Sequence, residues 1–166
     1  MKRYILIILY ISLSTVCFGQ KQQTPPANNN MIDKYFAIYA NQPGYEVQLM
    51  GESMIKRSNE MGMWKHPIVA RIMKQIKYYR YLNMPVSKAT KLKVIERLNA
   101  DVNRDGIYEE YYRQEATDST IIIYTKGQKA ITELVLVSSQ GNNLNVSSFF
   151  GNQIDMESIR ALARGH

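Results

Sequence analysis

The chain has 166 residues, 45% of them hydrophobic, with a single cysteine, two histidines and a formal net charge of +7. Its length fits one domain able to bury roughly two thirds of its unfolded surface. One cysteine excludes a disulfide framework, and two histidines, one of them the terminal His166, leave almost nothing for a Cys-His pair or a Ser-His-Asp triad.

The chain opens Met1-Lys2-Arg3, continues through the apolar run YILIILYISL (Tyr4 to Leu13), and turns smaller and more polar at STVCFGQ. A charged start, a short apolar stretch and a small-residue exit predict a signal peptide over 1–19, cleaved after Gly19. Uninterrupted apolar character ends near Phe18, short of the ~20 residues a spanning helix needs. The rival reading is a lipoprotein modified at Cys17, but Val16 stands where a lipobox wants a small residue. Cleavage after Gly19 removes the only cysteine and takes the charge from +7 to +5, since Lys2 and Arg3 leave and no acid does. An exported protein, in the periplasm or outer envelope, is the expected outcome.

Residues 20–30, QKQQTPPANNN, contain no apolar residue larger than Ala27 and read as a flexible leader. From residue 31 to 166 a single α+β domain is predicted. Met31 to Gly44 has helical spacing, with Asn30 as N-cap and Pro43-Gly44 as its stop. YEVQLM then alternates as a strand. Gly51 to His66 is Met-rich and reads as irregular. Pro67 suits the first turn of a helix running to about Gln75, and IKYYRYLNM is strand-like. Ser87 caps a helix whose apolar residues Ala89, Leu92, Ile95, Leu98 and Val102 keep three-to-four spacing.

The second half changes character. IYEEYYRQ, STIIIYT, AITELVLVSS and NLNVSSFF are four β-rich runs joined by the turn-like EATD, KGQK and QGNN. A final helix, DMESIRALAR, has Asp155 as cap and Glu157 in its first turn. Together these predict an α+β fold: a mainly antiparallel sheet, made of a C-terminal four-strand meander plus one or two earlier strands, covered on one face by helices.

Charge is unevenly placed. Between Lys56 and Arg97 lie eleven Lys or Arg and two acids, Glu60 and Glu96, whereas Asp101 to His166 has six basic and nine acidic residues. In an exported chain this basic 56–97 region points to an envelope protein or the acidic surface of a membrane as partner, and not to nucleic acid. Solvated helix faces account for the same charges without any partner.

Two stretches resemble metal sites. Asp101, Asn103, Asp105 and Gly106 have the spacing of the first half of a calcium loop, but its twelfth position is Tyr112, which cannot chelate. A helix ending near Val102, with Asn103 or Gly106 in the left-handed conformation, explains these residues at least as well. MGMWKH, Met61 to His66, offers thioethers, an indole and an imidazole, a soft set suited to Cu(I), although flexible Met filling an irregular segment accounts for it too. A periplasmic metal-binding protein is therefore the alternative reading. Glu109 and Glu110 are neighbours on a predicted strand and point to opposite faces, so they do not form a catalytic pair. No phosphate loop or dinucleotide fingerprint occurs. No catalytic, cofactor or metal residue is assigned, and no enzyme is expected.

The first helix and turn FAIYANQPGYEVQL, the late strand ITELVLVSS and the closing FFGNQIDMESIRAL, with a strand ending at Gly151, carry a resemblance. They are similar to a family of small exported proteins common in Bacteroidota, domain of unknown function 4252, over about Met31 to Leu162. In that family a helix precedes a Gly-Tyr-Glu-Glu-like strand start, which GIYEEYY matches, so the resemblance favours the helix-end reading of the calcium-like stretch. It implies an exported, non-catalytic protein without an assigned activity.

Overall fold

A computed structural model describes residues 31–39 and 42–164. The predicted signal peptide 1–19, the leader 20–30 and the Asn30 cap lie outside the described residues. The elements in chain order are α1 (Met31–Tyr39), β1 (Glu46–Met50), α2 (Glu52–Glu60), α3 (Pro67–Met73), β2 (Ile76–Pro85), α4 (Lys88–Asp105), β3 (Tyr108–Ala116), β4 (Ser119–Lys126), β5 (Ile131–Gln140), β6 (Asn143–Ile154) and α5 (Met156–Arg164). Among the described residues no helix is long and apolar enough to cross a membrane.

The six strands form one antiparallel sheet in the order β1-β2-β6-β5-β4-β3. The C-terminal meander is present, and β2 docks against β6 to bring both earlier strands into the same sheet. Helices, however, cover both faces, not one. Successive side chains of a strand alternate between faces, and here both alternating sets are apolar. Val135 and Val137 join Leu82, Met84, Ile122 and Tyr124 beneath α1 and α4. Leu134 and Leu136 join Ile76, Ile123 and Ile154 beneath α2, α3 and α5. Continuous apolar runs such as LVLV and III mark a sheet buried on both sides.

Several predicted boundaries shift, the end of α4 among them, from near Val102 to Asp105. Gly51 to His66 is not irregular throughout: α2 occupies Glu52–Glu60, and its only buried residues are Ile55 and Ser58. A face that narrow leaves no apolar periodicity to read. Strand β6 does not end at Gly151 but runs on to Ile154.

Several local signals hold. Ser87 Oγ accepts the Thr90 N–H at 3.3 Å, and Pro67 sits in the first turn of α3. Gly106 stops α4 with φ +62°, its N–H bonded to the Val102 carbonyl at 3.1 Å. A left-handed residue there costs glycine nothing.

Asp155 caps α5 as expected and is also held from a distant element. Its Oδ1 accepts the Ser158 N–H at 2.7 Å and its Oδ2 the Ser158 hydroxyl at 2.8 Å. Gln75, just past α3, donates to the same carboxylate and accepts the Asp155 N–H at 2.7 Å. Burial pushes the Asp155 carboxyl upward, but the Ser158 and Gln75 hydrogen bonds and the Arg71 cation outweigh it and hold it below its ordinary value. A folded pKa below the unfolded one, about 3.9, stabilises above that value, and the contribution fades as pH falls through the folded one. Asp155→Asn should therefore lower the urea midpoint by a constant amount between pH 7 and 5, with the gap to wild type closing below pH 4. A gap that persists to pH 2 would contradict this account.

Candidate functional site

The stretches singled out from sequence do not converge. Asp101, Asn103 and Asp105 all belong to helix α4, where a 100° step per residue puts residues 101 and 103 on opposite sides. Asp101 is engaged by Arg104 one turn on and by the Tyr35 hydroxyl at 3.4 Å. The segment is a helix end and not a loop. In MGMWKH, Met61 stands 65% exposed at the end of α2 while Trp64 packs on the core beneath α2, α3 and α5. Among the described residues no three His, Cys, Asp or Glu side chains gather as a metal site. Glu110 is occupied by Arg113, whose Nε donates to it at 2.9 Å.

The basic middle is also divided. Arg71 pairs with Glu157 at 2.9 Å, and Lys91 is buried with Nζ on the Gly141 carbonyl at 3.0 Å. Arg80 is buried among acids. Of the rest, Lys56, Arg57, Lys65 and Lys74 are exposed on the α2–α3 layer, and Lys93 and Arg97 are exposed on α4, across the sheet. The side chain of Lys88 lies outside the described residues. One basic run in the sequence thus becomes two separate surfaces.

On α2 a stripe emerges. Met54 and Met61 are 46% and 65% exposed, and with Arg57 they occupy positions i, i+3 and i+7, which share one helix side. Methionine at the surface is an adaptable contact residue, flexible and polarizable. Across residues 52–74 the exposed cations Lys56, Arg57, Lys65 and Lys74 outnumber the exposed acids Glu52 and Glu60, although Lys56, two residues from Met54, lies on the other side of α2.

A site that sequence reasoning missed lies under α1. Arg80 of β2 is buried, and its Nη2 donates to Glu133 Oε1 at 3.1 Å and to Ser148 Oγ at 3.3 Å. Its Nη1 meets Asp33 of α1. Glu133, with no exposed surface, also accepts the Ser148 hydroxyl at 2.6 Å and the Tyr108 hydroxyl at 2.7 Å. Burial, then the charge and hydrogen bond of Glu133, push the Tyr108 phenol far above its ordinary value, so it stays protonated and donates to Glu133. Arg80 Nε has no hydrogen-bond partner; the Phe36 ring, 5.0 Å from the guanidinium carbon, lies against it instead.

The register explains how these groups meet. Arg80 pairs with Ser148 across β2 and β6, and Tyr108, Lys126 and Glu133 lie in one row across β3, β4 and β5. Each charge takes the phase of its strand that faces α1 and α4: Arg80 that of Leu82 and Met84, Glu133 that of Val135 and Val137. The sequence signal was a lone charge on the apolar phase of two strands, opposite in sign.

The fold and these surfaces define a three-layer α+β protein, an antiparallel sheet between two helical layers with a charged centre sealed in one of them. The chain belongs to the family described as Domain of unknown function (DUF4252), whose model matches residues 39–162. Comparison with curated proteins and with solved structures found no match.

Proposed function

We propose that this chain is an exported, non-catalytic binding module of the cell envelope that acts through protein contacts. The observation that carries the reading is the Met54–Arg57–Met61 stripe on α2, exposed on a layer that also exposes Lys56, Lys65 and Lys74. Apolar contacts with a cation among them, on a layer with an excess of positive charge, suit a protein partner with an apolar spot bordered by acids, since like charges repel and unlike charges steer the encounter. Export rests on the N-terminal charged and apolar segment.

The test is capture from solubilised envelope by the tagged chain. A triple variant, Met54→Ser/Arg57→Glu/Met61→Ser, should reduce recovery of the specific partner at least tenfold. Lys93→Glu/Arg97→Glu, on the opposite face, should leave recovery unchanged. Equal recovery by both variants would overturn the assignment to α2. Equal retention by protein-free vesicles of acidic lipid would replace the protein partner with a membrane surface.

A further inference from the structure

The family match begins at residue 39, so α1 lies outside it except for its last residue, whereas Arg80, Tyr108, Glu133 and Ser148 all lie inside. The sheet itself supplies the acceptors for Arg80 Nη2, namely Glu133 and Ser148. It is α1 that answers Nη1, with Asp33, and covers the guanidinium, with Phe36. Ile32 and Tyr35 are buried beside them, in the cluster that holds Leu82, Leu98, Val102 and Val135. What α1 covers is thus a groove between α4 and the sheet, apolar in its walls, with one guanidinium nitrogen in its floor. A nine-residue helix does not hold its shape alone, so α1 is helical because it is docked. Its apolar burial is opposed by the entropy of ordering the segment.

We infer that α1 is a displaceable latch, and that the groove it fills is a receptor for an acidic amphipathic helix from a protein partner. Such a helix carries apolar or aromatic residues at the spacing of Ile32, Tyr35 and Phe36, with a carboxylate at the place of Asp33 to meet Arg80. Its binding expels α1, which pivots about the turn Gln42-Pro43-Gly44, where the Gln42 N–H bonds the Tyr39 carbonyl at 3.1 Å and Gly44 has φ +82°.

The experiment uses the chain from residue 20 onward and a fluorescent peptide of residues 29–42 as the helix probe. Native-state hydrogen exchange should find α1 amides opening at least tenfold more often than those of β5. The Asp33→Lys chain, whose own latch repels Arg80, should bind the peptide at least tenfold more tightly than the wild-type chain does, and a peptide carrying Asp33→Lys should not bind. Ile32→Ser, which loosens the latch without placing a cation beside Arg80, is the second variant and should also bind the peptide more tightly. Exchange of α1 only in step with β5 would overturn the inference, as would folded variants that leave the peptide unbound. Loss of the sheet in both variants would equally overturn it, because α1 would then be part of the sheet's own stability. Neither the α2 stripe nor an envelope extract enters this test, so its outcome is separate from that of the capture experiment.

Discussion

Glu133→Ala should destabilise the protein by about 3–5 kcal/mol, the scale for removing one partner of a buried ion pair. Most domains have only about 5–15 kcal/mol of stability in total, so the variant should be close to unfolding at room temperature. The cause is what the substitution leaves behind. Arg80 stays buried with Asp33 as its remaining carboxylate partner in the cluster, and the Ser148 and Tyr108 hydroxyls lose the oxygens they donate to. A buried donor without an acceptor costs about 1–3 kcal/mol by itself. Glu133→Gln should fall between wild type and alanine, because the amide oxygen still accepts while its nitrogen faces donors. Urea denaturation gives the comparison directly. A Glu133→Ala midpoint close to that of wild type would mean that water reaches the centre and that its charges are not sealed.

Gly151→Ala should cost about 1–3 kcal/mol or more, as overfilling a packed site does. The reason is close approach and not backbone conformation, since Gly151 is absent from the left-handed residues. A Cβ there would lie 2.4 Å from the Gln75 carbonyl oxygen and 3.1 Å from the Ile76 Cα. Both are backbone atoms, so β2 and β6 would have to part where Ile76 pairs with Gly151 and the register shifts. That movement would carry Gln75 away from Asp155 and loosen the α5 cap. Gly151→Ala and Asp155→Ala should therefore be non-additive, the double variant losing less than the sum of the two, because the first already weakens what the second removes. Strict additivity in a double-mutant cycle would separate the strand contact from the cap.

Much of the fold was legible because its signals are local. Caps and stops such as Ser87, Gly106 and Asp155 act within three or four residues of themselves, and Pro67 within one turn. The four β-rich runs and their turns were legible for the same reason. Helix α2 was not, because only Ile55 and Ser58 are buried and an exposed helix writes no apolar stripe into its sequence. The calcium-like spacing misled for the opposite reason. Asp101, Asn103 and Asp105 keep the intervals of a loop, but those intervals mean convergence only if the chain curls around a point, and α4 is straight through them.

The sequence by itself determined the class of fold, the meander, the helix starts marked by Pro67, Ser87 and Asp155 and the family resemblance, because each depends on neighbours along the chain or on a pattern within one element. Tertiary structure decided what lies opposite what. Which strand sits beside β6, which helices cover each face, and how the basic run divides between two surfaces are all set by packing. Arg80 and Glu133 are 53 residues apart, and nothing near either one names its partner. Only the strand order and register bring them together under α1, since a shift of one residue would turn either charge to the opposite face.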